Sequence, residues 1–165
     1  MKILKLNTRK YPDKICLVDD EYYDILLKFK WHPHKDRNNN FYVAARINNK
    51  IMMLHRFIIM LTETNIDKLL IDHKDRNGLN NQKENLRVCS NSQNKQNAVK
   101  QNIKNGTSKY KGVSVRPYNK FTASIKLCGK TKYIGYFDSE IEAAVAYNYK
   151  AIELFGEFAC LNSVL

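Results

Sequence analysis

Short apolar runs with polar neighbours fill the first third of the chain, and they read as strands. Lys14-Ile15-Cys16-Leu17-Val18 is one run, and Phe41 to Ile47 is another. The second turns through Asn48-Asn49-Lys50 into Ile51-Met52-Met53-Leu54, which predicts a hairpin. Between them, Glu21 to Trp31 carries Tyr22, Ile25, Leu26 and Phe29 at helical spacing, so a short helix is expected there. His32 and His34 flank Pro33 in what reads as a loop, and Trp31 reads as core. Phe57, Ile58, Met60 and Leu61 predict a second short helix. Leu69-Leu70-Ile71 then reads as a strand ending at Asp72-His73. A polar loop from Lys74 to Asn85, with Gly78 as its turn residue, leads to a second strand, Leu86 to Cys89. Ser90 and Gln93 form a capping box that opens a helix.

Asn105-Gly106-Thr107-Ser108 is a cluster of breakers and reads as a linker. Three strands are expected after it: Gly112 to Val115, Phe121 to Leu127 and Lys132 to Phe137. Ser139 and Glu142 make another capping box, and Ala143, Ala144, Ala146 and Ala151 give the helix that follows a narrow face for close packing. Gly156 stands where a C-cap belongs. The whole reads as an α+β chain in three parts. Residues 1–54 form a β-rich region, 55–104 a strand–loop–strand–helix motif, and 105–165 a three-stranded antiparallel sheet on one helix.

Charge changes the picture. The 165 residues carry a net charge of +12, and from Asn85 to Phe137 there is no Asp or Glu. Arg87, Lys95, Lys100, Lys104, Lys109, Lys111, Arg116, Lys120, Lys126, Lys130 and Lys132 fall in that stretch, punctuated by Tyr, Phe, Val and Ile. A folded basic stretch of this kind points to nucleic acid. Cys16, Cys89, Cys128 and Cys160 are scattered, which suggests neither a zinc site nor a disulfide framework. The N-terminus lacks a signal-peptide core, and no apolar run is long enough to span a bilayer. A soluble, cytoplasmic protein that is not secreted is expected.

Candidate chemistry sits in the second part. Asp72 and Asn94 are 22 residues apart and are joined by a chain that doubles back, so both can offer oxygen to one hard cation. His73, next along the strand, points away from Asp72 and could take a proton from water. Phosphodiester hydrolysis needs such a base and such a cation. An ordinary reading is also open, with Asp72-His73 as a strand-end cap and the asparagines as turn residues. His55 reads as a capping or packing residue.

The run from Ile71 to Asn97, containing Asp72-His73, Asn85-Leu86 and Asn94, resembles the HNH homing-type endonucleases of phages and mobile introns. Val18-Asp19-Asp20-Glu21, Lys30-Trp31 and Leu54-His55-Arg56 are similar to the front end of the phage proteins. The resemblance implies a ββα-metal fold in which Asp72 and Asn94 bind the metal. In it His73 is the general base, and Asn85 braces the loop and orients His73. It implies a divalent cation, Mg²⁺ first and Mn²⁺ as an alternative. Histidine-ligated members of the family carry His where this chain has Asn94.

A sheet backed by one helix leaves a face open. Lys111, Arg116, Lys126, Lys130 and Lys132 interleave along it with Tyr110, Tyr118, Phe121 and Tyr133, which suits phosphate and groove contacts. A plain solvated surface is the alternative. Residues 108–163, through Tyr110-Lys111-Gly112-Val113, Tyr133-Ile134-Gly135-Tyr136-Phe137 and Leu161-Asn162, resemble the ethylene-response-factor (AP-two) DNA-binding domain. That resemblance implies a sheet laid in the major groove of double-stranded DNA, with Lys111, Arg116, Tyr118, Lys126 and Tyr133 at contact positions. Ser114 and Ser124 stand where plant members often carry Arg and Glu, so phosphate positioning with modest sequence preference is expected. Arg56 and Arg87 are further candidates for touching DNA. The expected function is an HNH endonuclease that nicks duplex DNA as a monomer or homodimer, with no protein partner implied. A cleavage-inactive DNA-binding regulator and an RNA-directed nuclease are the rivals.

Overall fold

The N-terminal apolar runs pair with one another. In the computed structural model, which describes residues 1–63, 69–100 and 108–164, β1 (Lys2–Leu4) lies antiparallel to β2 (Cys16–Val18). Helix α1 (Asp20–Leu26) follows, with Asp20 and Glu21 in its first turn, where carboxylates suit the helix dipole. It stops five residues short of Trp31, its expected end. The indole Nε1 of Trp31 donates to the Leu26 carbonyl at 2.8 Å, and the ring packs edge-on against Phe29 and Phe57. Burial of this one large ring turns the chain.

His32 to Lys35, expected as loop, is strand β3. Pro33 has no N–H to give a ladder, and β3 is an edge strand of the sheet β3–β4–β5, where that lack is tolerated. Strands β4 (Phe41–Ile47) and β5 (Lys50–Met53) form the expected hairpin. Asn48 and Asn49 turn it with φ of 49° and 61°, the left-handed conformation that asparagine tolerates. Helix α2 (Leu54–Thr62) starts directly after β5. Strand β6 (Leu70–His73) and strand β7 (Leu86–Cys89) then pair antiparallel, and a single tight helical turn at Lys83–Asn85 sets up β7.

Leu4, Val18, Leu26, Trp31, Val43, Leu54, Ile58 and Leu86 belong to one apolar core. The boundary expected after residue 54 therefore falls inside a packed unit, because α2 closes onto that core through Leu54, Ile58 and Ile59. The chain divides instead into Met1–Ser90 and Asn91–Leu165.

The second unit holds α3 (Asn91–Asn97), then β8 (Val113–Arg116), β9 (Lys120–Leu127) and β10 (Lys130–Phe137) in the order β10–β9–β8, all antiparallel. Of the expected linker, Asn105, Gly106 and Thr107 lie outside the described residues. Helix α4 (Glu140–Phe155) backs the sheet, and Ser139 Oγ accepts from the Glu142 N–H at 3.2 Å, as the capping box requires. Ala143, Ala144 and Ala151 are fully buried with Ala123 and Ile125 of β9, so small side chains let helix and sheet meet closely. After α4 the chain is clamped by Asn162. Its side chain accepts from Lys111 N at 2.7 Å and donates to Lys111 O at 3.1 Å, while its backbone bonds the Asn148 side chain. The fold is α+β with several small antiparallel sheets, and among the described residues no helix is long and apolar enough to cross a membrane.

Gly112 is where the second unit tolerates no side chain. Its φ is +76°, and a Cβ there would lie 2.1 Å from the buried Tyr147 ring. We expect Gly112→Ala to destabilise this unit by on the order of 3 kcal/mol, read as a shift of the denaturation midpoint.

Candidate active site

Asp72 and His73 end β6, and strand alternation sends them to opposite faces. On one face Asp72 meets its cross-strand partner Arg87. Arg87 donates through both Nε and Nη2 to Asp72 Oδ2, at 3.0 and 2.7 Å, and each side chain is only 8% exposed. The carboxylate is thus buried beside a guanidinium.

On the other face His73 is held by a residue that the sequence did not single out. Asn81 is fully buried, and its Oδ1 lies 3.3 Å from His73 Nε2. Its Nδ2 donates to the Gly78 carbonyl at 3.2 Å and to Cys16 Sγ at 3.4 Å. A carbonyl can only accept, so the amide NH₂ faces Gly78 and the amide oxygen faces His73. The imidazole therefore carries its proton on Nε2 and keeps its lone pair on Nδ1. Burial outweighs the Asn81 hydrogen bond and the charges of Asp75 and Asp72, and it lowers the His73 pKa below its ordinary value. The ring is a neutral base at neutral pH. Cys16 completes the contact as a thiol, since burial pushes its pKa up to about 12.

The loop between the strands is knitted by amides and one carboxylate. Asn85 Oδ1 accepts from Asp75 N at 3.0 Å, and its Nδ2 donates to Asp75 Oδ1 and Asn80 O at 2.9 and 2.8 Å. Asp75 also receives Asn77 N and Asn80 Nδ2, both at 2.8 Å. Burial pulls the Asp75 pKa up, but these hydrogen bonds prevail and hold it low. Asn85 therefore ties the loop together. The direct bond to His73, however, comes from Asn81. Strand β2 docks alongside: Leu17 N donates to Leu79 O at 2.9 Å, and Asn81 N to Leu17 O at 2.8 Å. Asp19 Oδ2 accepts from Lys83 N at 2.7 Å. Gly78 is needed where the loop crosses β4, since a Cβ would lie 2.4 Å from the Phe41 carbonyl.

Two further rings border His73. His55, on the first turn of α2, stands edge-on to it with centroids 5.1 Å apart, and Tyr42 lies 6.0 Å from His73 and 6.1 Å from His55. Arg56 donates to the Leu69 carbonyl at 3.1 Å.

A family model described as HNH endonuclease matches residues 53–96. An uncharacterized HNH endonuclease of Acanthamoeba polyphaga mimivirus is 36% identical over 151 residues, covering 90% of this chain and 75% of that one. The chain belongs to the HNH endonuclease family. It is accordingly a DNA endonuclease, a hydrolase of phosphodiester bonds. An ethylene-responsive transcription factor of Arabidopsis thaliana is 29% identical over 103 residues, 59% of this chain and 61% of its own length. No solved structure matches.

HNH nucleases generally use a divalent metal. The donor chemistry of Asp72 fits, because hard divalent cations take carboxylate oxygen. Among the described residues no group of three or more His, Cys, Asp or Glu side chains gathers to hold an ion. Asn94 lies on α3 in the second unit, and its role as a ligand is what the resemblance implies.

The basic sheet of the second unit divides by register. Ser124 pairs with Tyr133, Lys126 with Thr131, and Thr122 with Ser114 and Tyr136. These residues and Arg116, whose Nε donates to Thr122 Oγ1 at 3.1 Å, share the face away from α4. Tyr133, Tyr136 and Lys126 are exposed there, and Tyr118, at the β8–β9 turn, is 94% exposed. Lys130 and Lys132 pair with Leu127 and Ile125, so they stand on the opposite face, at its exposed end. Tyr110 is buried, and Phe121 pairs with Val115 on the helix side. Lys111 Nζ donates to the Gln96 and Ala98 carbonyls at 2.7 and 2.5 Å, neutralising the C-terminal end of α3.

The Asp72–Arg87 pair gives a stability test. Arg87→Leu leaves a buried carboxylate without that counter-charge and should cost about 3–5 kcal/mol in urea unfolding. Adding Asp72→Asn to the Arg87→Leu chain should recover part of this, as a double-mutant cycle would measure.

Proposed function

We propose that this chain is a divalent-metal-dependent endonuclease that nicks one strand of duplex DNA, in the manner of homing-type HNH enzymes. The observation that carries the reading is His73: a buried, neutral imidazole whose Nε2 proton faces Asn81 Oδ1, which puts its basic lone pair on Nδ1. His73 Nδ1 takes the proton of the attacking water. Asp72 would hold the cation, Mg²⁺ or Mn²⁺, with Asn94 the second ligand that the resemblance assigns. When bound, the cation offsets charge that develops on the phosphate and the departing oxygen. Asp75, Asn80 and Asn85 keep the loop that carries Asn81 in one conformation. One such centre per chain supports nicking over double-strand cutting.

Purified full-length chain, incubated with supercoiled plasmid and Mg²⁺ or Mn²⁺, should yield open circles, and excess chelator should stop it. His73→Ala should lower cleavage by about 10²-fold or more while duplex binding persists. Loss of binding and cutting together would make His73 structural, and an intact plasmid under every metal would remove the nuclease mechanism.

The second unit grips the duplex by the face that bears Arg116, Lys126, Tyr133 and Tyr136, with Tyr118 at its edge. The likeness to a plant transcription factor supports this, as does the absence of any acidic residue from Asn85 to Phe137. Lys126→Ala should reduce the slope of log affinity against log salt by about one, as expected for a lost phosphate contact. Lys132→Ala, on the opposite face, should change the slope less. Fluorescence anisotropy across a salt series reads both.

A further inference from the structure

His55 is the group that the mechanism so far leaves unused. Its Nδ1 is sealed from solvent and has no hydrogen-bond partner, alone in this among the described side chains. A buried polar atom without a partner is unfavourable, and native structures keep few of them. Nothing in the position demands a histidine. Residue 55 does not cap α2, whose first turn follows an extended Met53. A phenylalanine ring would offer the same edge to His73 and Tyr42 without the stranded nitrogen. The ring is half-buried and lies edge-on to His73 at 5.1 Å, so the two imidazoles pack directly against each other. Burial, with His73 and Arg56 nearby, drives its pKa down to about 3, so it stays neutral and able to hydrogen-bond an oxygen without adding charge.

We propose that His55 is a second functional imidazole of the nuclease centre: when DNA binding opens the packing over its Nδ1, that nitrogen forms a hydrogen bond to an oxygen of the DNA phosphate beside the water that His73 deprotonates. The inference rests on the nuclease reading above, with His73 as base.

Three forms of the full chain decide it: the unaltered protein, His55→Phe and His55→Asn, the last keeping a polar atom near the position of Nδ1. His55→Phe should melt at or above the unaltered chain and bind duplex equally well, yet cleave about 10²-fold more slowly. His55→Asn should recover part of that loss. In the unaltered chain, ring-nitrogen NMR signals of His55 should shift together with those of His73 when a phosphorothioate duplex is added in the presence of chelator. His55→Phe cutting at the full rate, or a His55 signal that stays put while His73 moves, would overturn the proposal and leave the base assignment standing. If the unaltered chain neither cuts nor shifts either signal, the nuclease reading fails and takes this inference with it. Should His55→Phe not fold, the His55→Asn rate and the signals of the unaltered chain still separate these outcomes.

Discussion

A buried amide decides the geometry of the first unit. Asn81 has no contact with water, and each of its polar atoms faces a different part of the chain: Oδ1 the His73 ring, Nδ2 the Gly78 carbonyl and Cys16, and its backbone N–H the Leu17 carbonyl. A side chain at that depth must satisfy its donors and acceptors within the protein, and here that requirement is met only if β2, the loop and β6 sit together. The N-terminal strands are therefore part of what holds the loop beside His73. Strand β2 supplies the Cys16 sulfur and the Leu17 carbonyl, and Asp19 pins the loop's far end through Lys83. The shared core of Leu4, Val18, Trp31, Leu54 and Leu86 follows from the same constraint, since docking the loop on β2 brings the hairpin onto the N-terminal layer.

Much of this was legible from the chain. The β4–β5 hairpin, the β6–loop–β7 order, the three late strands and α4 with its capping box all follow from local pattern and turn chemistry, which short elements carry in their own residues. Strand β3 was not legible, because His32-Pro33-His34 has loop composition and becomes a strand only by pairing at a sheet edge with β4. The early end of α1 depends on where Trp31 is buried, a tertiary fact. Within the site, Asp72 and His73 stand out by spacing and residue type. Asn81 does not, because it is one of a run of asparagines and only burial separates it from Asn80. His55 reads as a packing residue until its unpartnered nitrogen is seen beside a second imidazole.

Asp72 is held by Arg87 across the strand pair, and this bears on how the centre would meet a cation. A carboxylate that already has a guanidinium beside it offers less net negative charge to an ion than an isolated one. A metal bound there would therefore depend more on oxygen from phosphate and water, which ties occupancy of the site to the presence of DNA. Arg87, expected to touch DNA, has a role in the folded chain before any ligand arrives. Both charges sit on the face of β6 away from His73, so base and carboxylate are separated by strand alternation alone.

The basic stretch shows that charge counted along a sequence is not charge offered to a ligand. Lys100 directs its ammonium to the carbonyls of Ser108, Tyr110 and Val113, and Lys111 directs its own to the end of α3. These two lysines tie backbone together inside the second unit. Arg116 and Lys126 differ in that they share a sheet face with Tyr133 and Tyr136, while the register sends Lys130 and Lys132 to the other side. Between Arg116 and Lys126 on that face stand the short hydroxyls of Ser114, Thr122 and Ser124, which lack the forked donors that read a base edge in pairs. On the proposed reading, a surface so composed would position phosphates and discriminate bases weakly. Site choice by such a protein would then come from how DNA bends or narrows under the sheet more than from contacts to individual bases.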